Sequence, residues 1–490
     1  MPSSLAHSAQ ERHFVDFEFL GYFACPARYG TFALTGQPRG ASGYFRFGPN
    51  LICYGQRASG QPAAGVTHVL EDALPDVGLR GSTLQLPFNP SDIVDNLRHE
   101  RYVPANDARL SASSLLQSAY YLARPFLAIS VRKHLQRIRL QGWEAIRFPQ
   151  WPVDPTVEGL FEELMALTLR CHGVDRIPFI WFWPRGAQGC VIMTHDVETA
   201  AGRDFCGDLM DLDDEYGIEA SFQVVPEGRY AVSDGFLDSI RARGFEINVH
   251  DLNHDGKLFA NKKRFQRRAE RINHYGRQFC AEGFRSAVLY RNLDWLSTLD
   301  FSYDMSVPSI GHLEAQRGGC CSVMPFFIGG MTELPVTTTQ DYALFHILNQ
   351  YSIDLWKRQI ASITRRHGLV SFVVHPDYIR TSRACDTYRR LLAYIAGLRS
   401  EAKFWFALPG AVSRWWRDRS RMRLVQRGNT WEIEGPNKEQ ARVAFASLEG
   451  NKVVYRIDML AMLAFGDWTA EAAAIGEAAC SLAAALLLSI

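Results

Sequence analysis

The chain has 490 residues, 47% of them hydrophobic and 12% aromatic, which is ample for a packed core and argues against global disorder. A formal net charge of +1 leaves no global field to draw the protein to nucleic acid. Ten cysteines stand at irregular spacing with no C-x-x-C pair, which argues against a zinc ribbon or thioredoxin-like motif and fits reduced thiols of a cytoplasmic protein.

The N-terminal stretch lacks an apolar run long enough for a signal peptide. Residues 1–175 read as a mixed α/β region. Glycines at 36, 40, 43 and 48 supply turn chemistry for a β-rich piece there. From 111 to 140 the pattern is helical and basic, with Arg132, Lys133, Arg137 and Arg139 beside an apolar stripe of Leu127, Val131, Leu135 and Ile138. A solvated charged face on a packed helix accounts for it. A helix lying on an anionic membrane surface is the alternative, giving peripheral contact at the inner face of the membrane.

From 176 to 417 apolar strands alternate with amphipathic helices. The strands are expected at 189–194, 220–225, 245–250, 283–285, 334–337, 369–375 and 404–408, and the helices at 204–216, 234–243, 262–279, 353–366 and 385–398. Such alternation implies βα units on a parallel sheet, and seven units predict a distorted (β/α)7-type barrel. From 418 to 458 the period becomes two, with Gly428-Asn429 and Gly450-Asn451 as hairpin turns, which predicts a small C-terminal antiparallel β module. The Ala/Leu-rich tail, 459–490, reads as a terminal helix whose clean apolar part is too short to span a bilayer.

Chemistry-bearing residues stand at the ends of the strands. Asp196 and Glu198 end the first, His250 ends the third with His254 one helical turn beyond, and His375 precedes Pro376 after the run Leu369-Val370-Ser371-Phe372-Val373-Val374. Strand ends are where barrel active sites are built. Two imidazoles and a carboxylate suit a divalent metal with an open position, zinc above all, and a second carboxylate can accept a proton beside it. A zinc protease would need Glu after the first His, and Asp251 stands there. Asp196 and Glu198 could instead cap the next helix. His375 suits a general acid near neutral pH. Glu333-Leu334-Pro335 is expected near the cleft, with no role assigned.

Taken as an ordered set, these residues resemble the polysaccharide deacetylase family, the NodB-homology domain of carbohydrate esterase family 4, over residues 180–415. The first motif is Thr194-His195-Asp196-Val197-Glu198. The resemblance implies that Asp196 is the catalytic base and that Glu198 takes the metal-binding place, since Val197 stands where the family has its second Asp. His250 and His254 match the metal-binding histidines. Gly283-Phe284-Arg285 matches the motif whose Arg orients the base, but Ser286-Ala287-Val288 follows in place of the usual Pro and aromatic. Ser302-Tyr303-Asp304-Met305-Ser306 offers Asp304 as the group that tunes the catalytic His, with Asp377 as competitor. Val373-Val374-His375 matches the general acid. The resemblance implies a metal-dependent hydrolase removing an acetyl or similar acyl group from an acylated carbohydrate or lipid-linked sugar. The alternatives are a catalytically silent carbohydrate-binding protein, suggested by Val197, Ser286 and Ala287, and a membrane-surface partner of polysaccharide synthesis.

Overall fold

The structure is a computed structural model that describes residues 13–104, 140–401 and 404–458. The basic stretch from 111 to 139 and the tail from 459 to 490 lie outside the described residues. Among the described residues no helix is long and apolar enough to cross a membrane.

One nine-stranded sheet positions the site. Its strands are β1 (Cys190–Val197), β2 (Ala220–Val224), β3 (Glu246–His250), β4 (Gly283–Arg285), β5 (Tyr303–Asp304), β6 (Phe326–Ile328), β7 (Met331–Glu333), β8 (Leu369–Val374) and β9 (Trp405–Phe406). The order is β6-β7-β5-β4-β3-β2-β1-β8, with β9 also on β1. Every pairing is parallel except the β6–β7 hairpin. Helices α1 (Cys206–Glu215), α2 (Asp234–Arg241), α3 (Lys262–Gln278), α4 (Asp354–Thr364) and α5 (Ser382–Glu401) alternate with the strands, as the hydrophobic periodicity requires.

The sheet curls into a half-barrel; no backbone ladder joins β7 to β8. Side chains bridge that gap. Thr337 and Thr338 hydroxyls donate to the Leu369 and Ser371 carbonyls, each at 2.7 Å, and Ser371 N donates back to Thr337 Oγ1 at 2.9 Å. The strand expected at 334–337 lies earlier, at β7, because Pro335 has no N–H for a ladder.

All eight residues of β1 are buried, as befits a parallel strand covered on both faces. Its residues alternate between two cores. Val191, Met193 and Val197 join the outer core beneath the helices. Cys190 and Ile192 join an inner core with residues from the N-terminal region and from helix α6 (Pro409–Ser420). The concave side of the sheet is therefore filled by chain from both ends of the protein.

The C-terminal β segment is not a separate module. Val443–Glu449 pairs with Lys452–Ile457 on one side and with Arg176–Ile180, from before β1, on the other. Period-two alternation locates a strand but says nothing about a partner so distant in sequence.

Arg419 on α6 ties these parts together. It is 1% exposed. Nε donates to the Trp181 carbonyl (3.0 Å), and Nη2 donates to those of Tyr22 (2.8 Å) and Ile180 (2.7 Å). Burial lowers its pKa to about 10. Arg419→Met would strand these carbonyls in the core. It is expected to lower unfolding free energy by about 3 kcal/mol or more, read as an earlier urea midpoint; an unchanged midpoint would contradict the linking role.

Candidate active site

The two carboxylates share a face because successive side chains of an extended strand point to opposite sides. Val197 points outward into the core, so Asp196 and Glu198, on either side of it, point inward. Val197 is thus no lost ligand; an acid there would be buried among apolar side chains. Neither carboxylate caps the next helix. Thr199 does that, its hydroxyl accepting from Gly202 N at 3.2 Å. Arg229 Nε donates to the Glu198 carbonyl at 2.8 Å and Tyr230 OH to that of Val197 at 2.7 Å, which fixes the backbone where the strand ends.

His250 is the last residue of β3, and its Nδ1 lies 3.1 Å from the Arg285 carbonyl. An N–H donated there leaves the Nε2 lone pair facing the cleft. His254 is not delivered by a helical turn. The segment after β3 is a loop in which Asp251 (φ 55°) and His254 (φ 53°) both take left-handed backbone, a conformation that costs about 1–3 kcal/mol per residue and gathers at functional sites. The two rings end 4.8 Å apart.

Glu198, His250 and His254 each offer a donor atom, and these atoms all lie within 4.8 Å of one another. His254 Nε2 is 2.9 Å from Glu198 Oε1, and His250 Nε2 is 4.0 Å from it. Yet both Nε2 atoms are buried without an aligned hydrogen-bond partner. Lone pairs that converge in this way without bonding one another suit a cation. Ligands about 2.1 Å from zinc in a tetrahedron stand about 3.4 Å apart, between the two observed separations. The donor set therefore fits a divalent metal.

Around this triad stand a second carboxylate, Asp196, and a third imidazole, His375. Arg285 Nη1 donates to Asp196 Oδ1 at 2.6 Å and to Thr194 Oγ1 at 2.8 Å, while its Nε donates to the Met305 carbonyl at 3.0 Å. The other oxygen, Asp196 Oδ2, lies 3.7 Å from His250 Nε2 and 4.0 Å from His375 Nε2. Burial pushes the Asp196 carboxyl up, but Arg285, His250 and His375 outweigh it and hold the group below its ordinary range. Glu198 is held well below its own, burial being outweighed by His254, His250 and His375.

His375 directly follows β8 and caps the short helix that Pro376 begins, where the ladder stops. Its Nδ1 lies 2.7 Å from Asp341 Oδ1, and its backbone N donates to Asp341 Oδ2 at 2.8 Å. Nε2 faces Glu198 Oε1 at 3.5 Å. Burial alone would lower the imidazole pKa, but Asp341 and Glu198 raise it well above the ordinary value.

The partner of His375 is thus Asp341, not Asp304 or Asp377. Asp304 pairs in register with Phe284 and Glu333, on the face opposite Arg285. Its carboxylate accepts from Ser306 Oγ (2.7 Å) and Ser306 N (3.0 Å). Burial raises the pKa of both Asp304 and Glu333, and Asp304 raises Glu333 further. Glu333 is therefore part of a buried carboxyl pair rather than a cleft residue. Asp377 accepts a short hydrogen bond from the Thr199 hydroxyl. Asp341 carried no local signal. It follows the threonines that bridge to β8, so only the closure of the half-barrel brings it to His375. Steady-state kinetics of Asp304→Asn checks the correction: kcat is expected to stay within about threefold of wild type. A loss near the hundredfold scale of a missing acid–base group would place Asp304 in the chemistry.

No protein-family profile matches the chain, and no curated protein matches it by sequence. Among solved structures it is similar to a protein described as a polysaccharide deacetylase from Mycobacterium smegmatis, with 17% identity over 49% of this chain and 93% of that one and a TM-score of 0.39. An allantoinase aligns with 12% identity over 48% and 92% of the two chains and a TM-score of 0.39. A protein described as a polysaccharide deacetylase from Pseudomonas aeruginosa PAO1 aligns with 13% identity over 47% and 91% and a TM-score of 0.36. Over about half its length, and at low identity, the chain is similar to solved polysaccharide deacetylases.

Proposed function

We propose that the protein is a metal-dependent hydrolase that removes an acetyl or similar acyl group from an N- or O-acylated carbohydrate, in envelope or exopolysaccharide metabolism. One observation carries this: Glu198, His250 and His254 converge on a point flanked by Asp196 and His375. A divalent cation such as zinc, held by those three residues, would supply Lewis acidity toward the acyl carbonyl and the attacking water.

The remaining steps belong to the chain itself. Asp196, held ionised by Arg285, accepts a proton as the water oxygen bonds to the acyl carbon. Arg285, fixed at three points, keeps the unbonded Asp196 oxygen aimed at that water. His375, protonated through Asp341, gives its proton to the sugar nitrogen or oxygen as the bond to the acyl carbon breaks. The products are a carboxylate such as acetate and a deacylated sugar. The outward direction of Val197 weakens the case for a silent protein, because an intact donor set stands beside it.

The test is release of acetate from acetylated oligosaccharides by purified full-length protein. Release that stops with a chelator and returns with zinc is expected. Protein that binds zinc at this site yet releases no acyl group from N- or O-acylated sugars would overturn the proposal.

A further inference from the structure

A buried polar cluster stands on the far face of the strand that carries the two carboxylates. His195 lies between Thr194 and Asp196 on β1. Neighbouring side chains of a strand alternate, so its ring points away from the cleft, into the layer beneath the helices. There it lies 4.9 Å from the Phe222 ring and is fully buried. An imidazole in such a layer destabilises the fold unless its polar atoms are bonded, and both of its nitrogens have partners. Nε2 lies 2.8 Å from Asp213 Oδ2, on α1, and Nδ1 lies 3.3 Å from the Val374 carbonyl, on β8. The Tyr388 hydroxyl, on α5, donates to Asp213 Oδ1 at 2.5 Å. Asp213 and Tyr388 are as fully buried as His195.

This cluster ends beside the reacting groups. His195 and Val374 are the last pair in the β1–β8 register, and Asp196 and His375 directly follow them. On the cleft side of the sheet the Thr194 hydroxyl donates to the Phe372 carbonyl at 2.6 Å. On the far side the His195 ring holds the carbonyl of Val374. That carbonyl belongs to the peptide group joining Val374 to His375, whose N–H donates to Asp341 Oδ2 at 2.8 Å. A peptide group is planar. Pinning its oxygen and its hydrogen therefore fixes where the His375 side chain leaves the backbone. Asp341 pins one end and His195 the other, with the ring itself held by Asp213.

We propose that His195 is a positioning residue whose bond to the Val374 carbonyl sets the spacing between Asp196 and His375, 4.0 Å from Oδ2 to Nε2. This rests on the hydrolytic reading of the same site. His195 faces away from both substrate and metal and acts through His375. A displacement of about 1 Å between reacting groups can lower turnover about a hundredfold, so a clamp behind the strand governs rate without taking part in binding.

The test compares two double variants with wild type, all as zinc-loaded full-length protein. His195→Phe with Asp213→Asn removes the donor to the Val374 carbonyl without leaving a buried carboxylate unpaired. His195→Gln with Asp213→Asn is equally uncharged and keeps an amide N–H for that carbonyl. The phenylalanine variant is expected to lose about tenfold to a hundredfold in kcat for acetate release, with KM and zinc affinity within about threefold of wild type. The glutamine variant should keep kcat within about fivefold. His195→Leu with Asp213→Asn takes the place of the phenylalanine variant if that protein does not fold. Crystal structures of the same proteins give a readout that needs no turnover. The separation of Asp196 from His375 should lengthen by about 1 Å without the donor and hold in the glutamine variant. Equal kcat in the two variants, a loss carried by KM or zinc affinity, or an unchanged separation without the donor would overturn the inference. Wild type that releases no acetate would defeat the hydrolase proposal, and the crystallographic separation would still decide the clamp.

Discussion

Replacing His375 by alanine is expected to lower kcat for acyl hydrolysis by about 10²–10⁴ while bound zinc is retained. The reason is geometric. His375 Nε2 is 4.0 Å from Asp196 Oδ2 and 3.5 Å from Glu198 Oε1, and in the proposed mechanism it supplies the proton that the departing sugar atom takes. Asp341→Asn should lower kcat by about a hundredfold or more, because the carboxylate both orients the ring and stabilises its charge.

The pH profile separates the two roles. In wild type, Asp341 and Glu198 hold the His375 pKa well above its ordinary value against the effect of burial. The protonated, acid-competent form therefore persists to higher pH than it would in a free imidazole. Without the Asp341 charge the folded pKa falls, the proton is lost earlier, and the alkaline limb of kcat should move to lower pH. An Asp341→Asn profile that loses amplitude without moving its alkaline limb would count against the acid assignment.

The second large effect concerns the donors themselves. His250→Ala and His254→Ala are each expected to reduce zinc affinity by a hundredfold or more, on the order of the loss when a metal ligand or its support is removed, and to abolish acetate release at limiting metal. The two variants should differ when zinc is in excess. His250 is rigid: it sits within β3 with Nδ1 at the Arg285 carbonyl. His254 sits on left-handed backbone with Nδ1 unpartnered among the described residues. High zinc should therefore recover more activity in His254→Ala than in His250→Ala, measured as acetate release against zinc concentration. Full activity of both variants in metal-stripped buffer would refute the metal centre.

Most of the site is legible in the sequence because its residues end strands. Asp196, Glu198, His250, Arg285 and His375 each close an apolar run or its continuation, and β1 through β4 and β8 lie where those runs stand. His254 is legible by spacing alone. The spacing suggests a helical turn, whereas the chain uses two left-handed residues, which leave no mark in hydrophobic periodicity. Asp341 is hidden for a different reason. It follows a run of threonines whose hydroxyls replace a backbone ladder, and only the bridge to β8 shows where it goes. Asp304 looks suitable in the sequence, but β5 is two residues long. A one-residue change of phase there moves a side chain to the other face of the sheet. The C-terminal hairpins show their alternation and their Gly-Asn turns; the pairing of Val443–Glu449 with Arg176–Ile180 depends on contacts that local pattern does not encode.

X-ray absorption at the zinc edge of the loaded full-length protein tests the metal centre most directly. Two imidazole nitrogens with oxygen completing the shell, at about 2.0–2.2 Å, are expected, with one imidazole lost in His250→Ala. A sulfur shell, or a spectrum indifferent to that substitution, would mean that zinc binds elsewhere and that the converging side chains serve another end.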